Sequence, residues 1–299
     1  MNYLGIDIGG TNIKFGVVSD TFEILKTVTV PTAKASYETI LEQVVATAKE
    51  LQKSVPFAAV GVGVPAPVKS DGTLAVCVNI PLFGHNFLQD LTDGIGLPVK
   101  MENDASCAAL AEYYIGAGKG YHNVVLLTLG TGVGSGMVID GKPYAGSDGY
   151  FEMGHMIIHA NGLPCTCGRK GCFEQYASAT ALQRETLQAS KKNPSSILAE
   201  CVNEQSPCIA VFEAQKRGCP VADGVLNCYF DEVALGVSNV RWILSPDIII
   251  LGGGIVAQGD ALLKPIIERV DKDVPVALAS VRNQAGLLGA AMLCFNQKD

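Results

Sequence analysis

Residues 3–18 read YLGIDIGGTNIKFGVV, which is an apolar segment, a polar glycine-rich turn and a second apolar segment. Strand-forming residues lie on both sides of the turn, so the stretch predicts two neighbouring strands joined at Gly9-Gly10-Thr11. The pattern recurs over 124–139, where VVLLTLGTGVGSGMVI again places a Gly/Thr turn between apolar segments. A repeat at this spacing predicts two related α/β domains and argues against an array of short repeats.

The composition limits the class of protein. Of 299 residues, 48% are hydrophobic and 17% are charged, and the net charge is −7. These values are typical of a globular chain, and the acidic balance argues against a surface for nucleic acid or anionic membranes. The N-terminus lacks the pattern of a secretory signal, and the apolar runs are too short to span a bilayer. We expect a cytoplasmic protein with small-molecule partners, no nucleic acid and no membrane.

The order of predicted elements suggests where the domains begin and end. Helical apolar spacing over 105–115 is followed by the glycine-rich segment 116–120, which predicts a hinge. We therefore expect an N-terminal domain over 1–115 and a C-terminal domain over 116–284. The apolar stretch within 285–299 predicts a final helix that packs back on the first domain.

The two glycine-rich turns predict phosphate binding, because glycines let backbone N–H groups approach phosphate oxygens. In the first turn Thr11 adds a hydroxyl, Lys14 adds a positive charge, and the Asp7 carboxylate suits a magnesium hydrate. A simple glycine-rich hairpin explains this turn equally well. The second turn, Gly130–Gly136, has G-x-G-x-G-x-G spacing, but a strand follows it where a dinucleotide site needs a helix. A phosphate-binding turn fits it better than an oxidoreductase motif.

Two further motifs each allow two interpretations. Gly252-Gly253-Gly254 follows the apolar strand 248–251, and it suits either close approach by a flat ligand such as adenine or a tight turn into a helix. Asp104 ends Glu102-Asn103-Asp104, where a strand gives way to a helix. A carboxylate in that place is either a helix cap or a general base for a sugar hydroxyl.

The most specific motif lies between residues 152 and 174. Glu152-Met153-Gly154-His155 is followed by Cys165-Thr166-Cys167-Gly168-Arg169-Lys170-Gly171-Cys172-Phe173-Glu174. One imidazole and three thiolates supply the four ligands of a structural tetrahedral zinc site, with no open position for catalysis. The flanking carboxylates, Glu152 and Glu174, are either acceptors for vicinal sugar hydroxyls or solvated loop charges.

Together these motifs resemble the ROK family (repressor, open reading frame, kinase) over nearly the whole chain. The paired E-x-G-H and C-x-C-G-x-x-G-C-x-E motifs, at 152–155 and 165–174, carry the resemblance. The family implies an actin-like ATPase fold, in which two RNase-H-like domains surround a cleft and a zinc knuckle is inserted in the second. It also implies a homodimer or homotetramer.

The resemblance implies roles residue by residue. Asp104 matches the catalytic base and also contacts the sugar. The other sugar-binding positions match Asn79, Asn103, Glu152, His155 and Glu174. The zinc ligands match His155, Cys165, Cys167 and Cys172. The positions for ATP and Mg²⁺ match Asp7, Gly9, Gly10, Thr11, Lys14, Gly130, Thr131, Gly132, Gly134, Gly253 and Gly254.

The implied activity is ATP-dependent phosphorylation of a hexose hydroxyl, with glucose to glucose 6-phosphate as the leading expectation. Fructose, mannose, allose and N-acetylmannosamine stay open, because Ala66, Phe83 and Phe151 depart from the family pattern near the expected sugar pocket. A regulator of the same family is less favoured, since no helix-turn-helix precedes the first strand. A non-catalytic sugar sensor is also less favoured, since Asp7, Asp104 and both turns are present.

Overall fold

A computed structural model describes residues 1–74, 80–146, 148–270 and 275–295. The strands in these ranges are β1 (Asn2–Ile8), β2 (Asn12–Ser19), β3 (Ile24–Pro31), β4 (Val60–Val64), β5 (Val99–Asn103), β6 (Asn123–Leu129), β7 (Val133–Ile139), β8 (Lys142–Tyr144), β9 (Ile248–Gly252) and β10 (Val276–Leu278). The helices are α1 (Tyr37–Ser54), α2 (Phe87–Ile95), α3 (Asp104–Ile115), α4 (Glu174–Ala177), α5 (Ala179–Lys192), α6 (Ile197–Glu204), α7 (Pro207–Lys216), α8 (Pro220–Leu244), α9 (Asp260–Ile267) and α10 (Ala285–Met292).

The first sheet has the strand order β3-β2-β1-β4-β5. The hairpin of β1 and β2 is antiparallel, as the opening sequence predicts, and its register places Asp7 opposite Lys14. β3 continues antiparallel to β2, whereas β4 is parallel to β1 and β5 is parallel to β4. The sheet is therefore mixed, and it delivers Asp7 and the end of β5 to the same edge, because parallel strands end together.

The second sheet has the strand order β10-β9-β6-β7-β8. β10 is parallel to β9, and β8 is antiparallel to β7, so this sheet is mixed as well. The second glycine-rich turn joins β6 to β7, as the repeat in the sequence predicts. The chain thus has an α/β fold with two mixed five-stranded sheets.

Glycines in β1 and β4 let α10 lie directly on the first sheet. A Cβ on Gly5 would lie 2.1 Å from the Leu287 carbonyl oxygen, and a Cβ on Gly61 would lie 1.7 Å from that of Ala290. Both distances are far below van der Waals contact, so only glycine allows this approach. The other strand positions are filled by large apolar side chains such as Ile6, which is fully buried. The final helix is thereby fixed beside the end of β1.

The described residues form two compact units. Unit 1 comprises Met1–Leu126, Gly136–Phe151 and Ser280–Asp299, and unit 2 comprises Leu127–Ser135 and Glu152–Ala279, without the undescribed positions. The predicted domain limits at 115/116 and 284/285 stay predictions. No helix in the described part of the chain has the length and the hydropathy needed to cross a membrane.

Candidate functional site

In unit 1 the first glycine-rich turn brings a carboxylate and an ammonium group together. The Gly9 N–H donates to the Asn12 carbonyl at 3.0 Å and closes the turn. Lys14 Nζ lies 3.4 Å from Asp7 Oδ2 and 3.4 Å from the Asn283 carbonyl oxygen. Because Lys14 and Asp7 face each other across the hairpin, this pair follows directly from the register of β1 and β2.

Backbone from α10 lies close to the same carboxylate. A Cβ on Gly286 would lie 3.0 Å from Asp7 Cγ and within 3.2 Å of both carboxylate oxygens. Gly286 therefore lets the first turn of α10 pack closely against the Asp7 carboxylate. A Cβ at position 286 would require the Asp7 carboxylate to shift by a few tenths of an ångström. The apolar pattern of 285–299 predicts the final helix, but it carries no sign that this helix meets Asp7.

Asp104 is the first residue of α3, but it does not cap the helix. The cap is Asn103, whose Oδ1 accepts from the N–H groups of Ala105 at 2.9 Å and Ser106 at 3.3 Å. The expectation that Asp104 occupies the N-cap position was therefore wrong by one residue. Asp104 Oδ1 also accepts from the Ala105 N–H, at 2.8 Å.

The environment of Asp104 holds its carboxyl partly protonated near neutral pH. Burial is the largest cause and raises the pKa of Asp104 to about 6, and the negative charge of Asp7 adds to the rise. The N–H of Ala105 opposes the rise. Burial also raises the pKa of Glu102, whose Oε1 accepts from the Asn103 N–H at 2.8 Å. A carboxylate with a pKa just below the working pH suits a general base.

In unit 2 the second glycine-rich turn carries no charged side chain of its own. The Gly130 N–H donates to the Gly132 carbonyl at 2.9 Å, and the Gly130 carbonyl accepts from the Ala179 N–H at the start of α5 at 2.9 Å. The Val133 N–H donates to Glu174 Oε2 at 3.0 Å. The same oxygen would lie 2.1 Å from a Cβ on Gly132. Glycine at 132 therefore makes room for a carboxylate that comes from α4.

The segment Glu152–His155 lies against the start of β7. Met153–His155 form one turn of 3₁₀ helix, and the Met153 N–H donates to Ser135 Oγ at 2.8 Å. A Cβ on Gly154 would lie 2.1 Å from the Val133 carbonyl oxygen. The glycine of the E-x-G-H motif is thus needed for this close approach, which fixes Glu152 and His155 beside the second turn.

The four predicted metal ligands converge in unit 2. One ligand atom from each of His155, Cys165, Cys167 and Cys172 lies within 4.8 Å of all the others. His155 Nδ1 is 3.6 Å from Cys165 Sγ, and Cys167 Sγ is 3.6 Å from Cys172 Sγ. In tetrahedral zinc sites neighbouring N and S ligands lie about 3.5–3.8 Å apart, so both the donor set and the spacing fit zinc.

Sequence reasoning missed the contacts that hold this loop in place, one of which reaches α8. His159 Nε2 lies 2.7 Å from Glu232 Oε2, and the Tyr176 hydroxyl accepts from the Leu163 N–H at 2.7 Å. A Cβ on Gly171 would lie 1.7 Å from the His159 carbonyl oxygen. His159 and Glu232 are 73 residues apart, so no local pattern could reveal the pair.

In the third glycine cluster, 252–254, the backbone conformation and packing require glycine at position 253. Gly253 has a φ of 90°, and a Cβ there would lie 2.3 Å from the Leu129 carbonyl oxygen at the end of β6. A tight turn out of β9 therefore accounts for Gly253. A Cβ on Gly254 would meet nothing within 4 Å, so that position borders open space. Asn79, the remaining predicted sugar ligand, lies outside the described residues.

A family model decides the relationship. The model of the ROK family matches residues 3–297. The chain belongs to the ROK family. The resemblance drawn from the zinc-ligand and glycine-rich motifs is confirmed.

Relatives within the ROK family include enzymes with named substrates. The chain is 34% identical to the glucokinase of Thermotoga maritima, over 98% of this chain and 97% of that one. It is 31% identical to the N-acetyl-D-glucosamine kinase of Haemophilus influenzae, over 97% and 98%. The ROK glucokinase of Streptomyces griseus, solved with glucose and AMPPNP, has 32% identity and a TM-score of 0.81 over 98% of this chain and 99% of that one. The α/β fold with two mixed sheets is therefore the ROK kinase fold.

Two departures from the ROK pattern are buried beside the predicted site residues. Ala66 is almost fully buried, and its carbonyl oxygen lies 3.5 Å from Asn103 Nδ2. Phe151 is also buried, and its ring packs edge to face on Tyr144 with centroids 5.8 Å apart. Phe83, the third departure, is exposed.

Proposed function

We propose that this ROK chain is an ATP-dependent sugar kinase and that glucose is its preferred acceptor. The observation that carries the proposal is the Asp104 carboxylate, which is held at the start of α3 with a pKa raised to about 6 and with Asp7 close by. Glucokinases that are 32–34% identical over nearly the whole chain support the choice of reaction and of sugar.

Asp104 takes the proton from the sugar hydroxyl as its oxygen attacks the γ-phosphorus of ATP. Two requirements meet at this residue, since a general base must be mostly ionised at the working pH and still attract a proton. With a pKa of about 6, roughly nine in ten Asp104 carboxyls are ionised at pH 7. The hydroxyl attacked is the one at C6 in the glucose 6-phosphate expectation.

The two glycine-rich turns hold the phosphates of ATP through backbone N–H groups, and Lys14 adds a positive charge. A magnesium ion bound with ATP would neutralise part of the phosphate charge. Asp7 is the residue that would position its hydrate, and Gly286 lets the first turn of α10 pack against that carboxylate without a side chain between them. Gly253 and Gly254 follow β9, where Gly253 makes the turn and Gly254 borders open space that would allow an adenosine group to come close.

The sugar is bound by side chains whose positions the fold restrains. Asn103 uses its amide oxygen as the cap of α3, which leaves its Nδ2 group as the donor to the sugar. Glu152 and Glu174 accept from sugar hydroxyls, and His155 contacts the sugar with the ring nitrogen that does not face Cys165. Asn79 is proposed as a further ligand from the family pattern alone.

A structural zinc ion is proposed for His155, Cys165, Cys167 and Cys172. It would cross-link the loop between the 3₁₀ turn Met153–His155 and α4. It would thereby hold the two proposed sugar ligands, His155 and Glu174, at fixed places. No step of phosphoryl transfer depends on it. The ligand spacing and the full set of four donors support this role.

N-acetylglucosamine is the second candidate acceptor, because a kinase named for that sugar is 31% identical over 97% of this chain. The two sugars differ at C2, where an acetamido group replaces a hydroxyl. A cytoplasmic location and a dimeric or tetrameric assembly complete the proposal, and size-exclusion chromatography with light scattering tests the assembly.

The test is ATP-dependent phosphorylation by the purified protein across glucose, N-acetylglucosamine, mannose, fructose, allose and N-acetylmannosamine. The same reactions without sugar measure wasteful ATP hydrolysis. The highest kcat/KM is expected for glucose. A higher kcat/KM for another sugar would overturn the choice of acceptor, and no product from any sugar would overturn the kinase proposal.

A further inference from the structure

One hydrogen bond joins a proposed sugar ligand, Glu174, to a proposed phosphate loop, the second glycine-rich turn. Glu174 Oε2 accepts from the Val133 N–H at 3.0 Å, directly after the turn Gly130–Gly132. Backbone N–H groups at such turns are the donors that bind phosphate oxygens. A carboxylate on one of these donors therefore occupies an anion position next to the place expected for the phosphates of ATP.

The backbone on both sides of this contact is firmly fixed. Phe173 is fully buried, and a Cβ on Gly236 of α8 would lie 2.2 Å from its ring. The Phe173 N–H donates to the Met156 carbonyl at 2.8 Å. On the other side, the Gly130 carbonyl accepts from the Ala179 N–H at 2.9 Å. A change at the contact must therefore come from the Glu174 side chain.

The Glu174 side chain can move without moving the fold. It is partly exposed, whereas Phe173 before it is not. A glutamate carboxylate changes place by rotation about side-chain bonds, among staggered positions of similar energy. Glycine at 132 is also essential for the present position, because a Cβ there would overlap the carboxylate at 2.1 Å.

We propose that Glu174 couples sugar binding to nucleotide binding by leaving the second phosphate loop when sugar arrives. Without sugar, its carboxylate holds the Val133 N–H and repels the phosphates of ATP. When Glu174 turns to a sugar hydroxyl, the donor becomes available and the repulsion falls. The inference rests on the proposed function, which identifies the ligand of Glu174 as a sugar. The contact between Glu174 and the loop is independent of that function.

Two consequences follow from thermodynamic linkage. Sugar must raise the affinity for nucleotide, and nucleotide must raise the affinity for sugar by the same factor. Couplings of this kind commonly amount to about 5-fold to 150-fold, and we expect about tenfold here. Nucleotide bound without sugar is thereby disfavoured, which limits the hydrolysis of ATP by water.

The test is calorimetric titration of Mg²⁺–AMPPNP into the full chain, with and without saturating glucose, for wild type, Glu174→Gln and Glu204→Gln. Glutamine keeps an oxygen acceptor but removes the charge. Glu204 is exposed at the end of α6, so its variant has the same change in net charge away from the loop. Thermal unfolding of each variant checks that it is folded.

In wild type and Glu204→Gln, we expect glucose to tighten AMPPNP binding about tenfold. In Glu174→Gln, we expect AMPPNP without glucose to bind at least fivefold more tightly than in wild type, and glucose to change its affinity less than twofold. Equal affinities of wild type and Glu174→Gln for AMPPNP alone would overturn the proposal. The proposal would also be overturned if glucose left the affinity of wild type for AMPPNP unchanged. That result needs no variant.

Failure of the proposed function gives a different result. If no sugar of the panel binds or is phosphorylated, the sugar-kinase proposal fails, and the sugar-coupling proposal fails with it. The comparison of wild type and Glu174→Gln with AMPPNP alone still shows whether the carboxylate competes for the loop. If glucose is phosphorylated but does not affect AMPPNP affinity, only the coupling is wrong.

Discussion

The two glycine-rich turns have the same sequence pattern, but they obtain their charge in different ways. In unit 1, Asp7 and Lys14 belong to the hairpin itself and face each other across it. In unit 2 the aligned residues are Thr128 and Ser135, and the carboxylate at the turn is Glu174, which comes from 41 residues further along. The same backbone motif therefore receives its charged side chains from its own strands in unit 1 and from the distant helix α4 in unit 2.

The largest effect is expected at Asp104, which lies beside the charged turn of unit 1. Asp104→Asn should lower kcat by about 10²- to 10⁴-fold, because asparagine cannot accept the proton. Initial rates with glucose and ATP measure the loss. Asp140→Asn is the control, since Asp140 is an exposed carboxylate in the same unit, paired with His122 at 3.0 Å. Turnover of Asp104→Asn close to that of the control would remove Asp104 from the mechanism.

The same substitution should not weaken the fold. The pKa of Asp104 is raised in the folded state, so the folded protein favours the protonated form, and stability from this group is lost as pH rises through about 6. A neutral asparagine removes that cost, which is at most about 3 kcal/mol for a shift of about two units. Thermal unfolding at pH 7.5 should show an unchanged or higher Tm. A clear fall in Tm would mean that the charged form stabilises the fold.

Because Glu174 follows Cys172 closely in the chain, we expect its contact with the second turn to depend on the proposed zinc site. Cys167→Ser should lose bound zinc and lower Tm by roughly 5 °C or more, because structural zinc contributes binding free energy to folding. Metal analysis and thermal unfolding measure both effects. Cys228→Ser is the control, since Cys228 is exposed on α8 and belongs to no ligand set. Wild-type protein purified without any bound zinc would contradict the assignment.

The smallest effects are expected at the aligned positions 14 and 135, where substitutions should change different properties. Ser135 is buried and its Oγ accepts from the Met153 N–H at 2.8 Å, so Ser135→Ala should cost about 1–3 kcal/mol of stability. Lys14 is half exposed, so Lys14→Met should leave stability within about 1 kcal/mol. It should instead raise KM for ATP severalfold. Urea unfolding measures the free energy of unfolding, and ATP saturation curves measure KM. If both variants changed stability and KM to the same extent, the two turns would not differ in this way.

The part of the site that the sequence predicts is the part made by neighbours in the chain. The hairpin of β1 and β2 followed from the apolar segments on both sides of Gly9 and Gly10. The cluster of four proposed zinc ligands followed from residue types within one short segment. Contacts that depend on packing of distant elements did not follow, such as Gly286 beside Asp7 and Glu232 beside His159. The cap of α3 was placed one residue late, because Asn103 and Asp104 have equal capping preference.

The pH dependence of kcat/KM for glucose tests the central claim most directly, because it reports ionisation of the enzyme that has not yet bound sugar. Between pH 5 and pH 8, at saturating ATP and with stability checked at each pH, the profile should fall tenfold per pH unit below about 6 and be level above about 7. This is the result expected if ionised Asp104 takes the proton. A profile that stays level down to pH 5 would contradict the account.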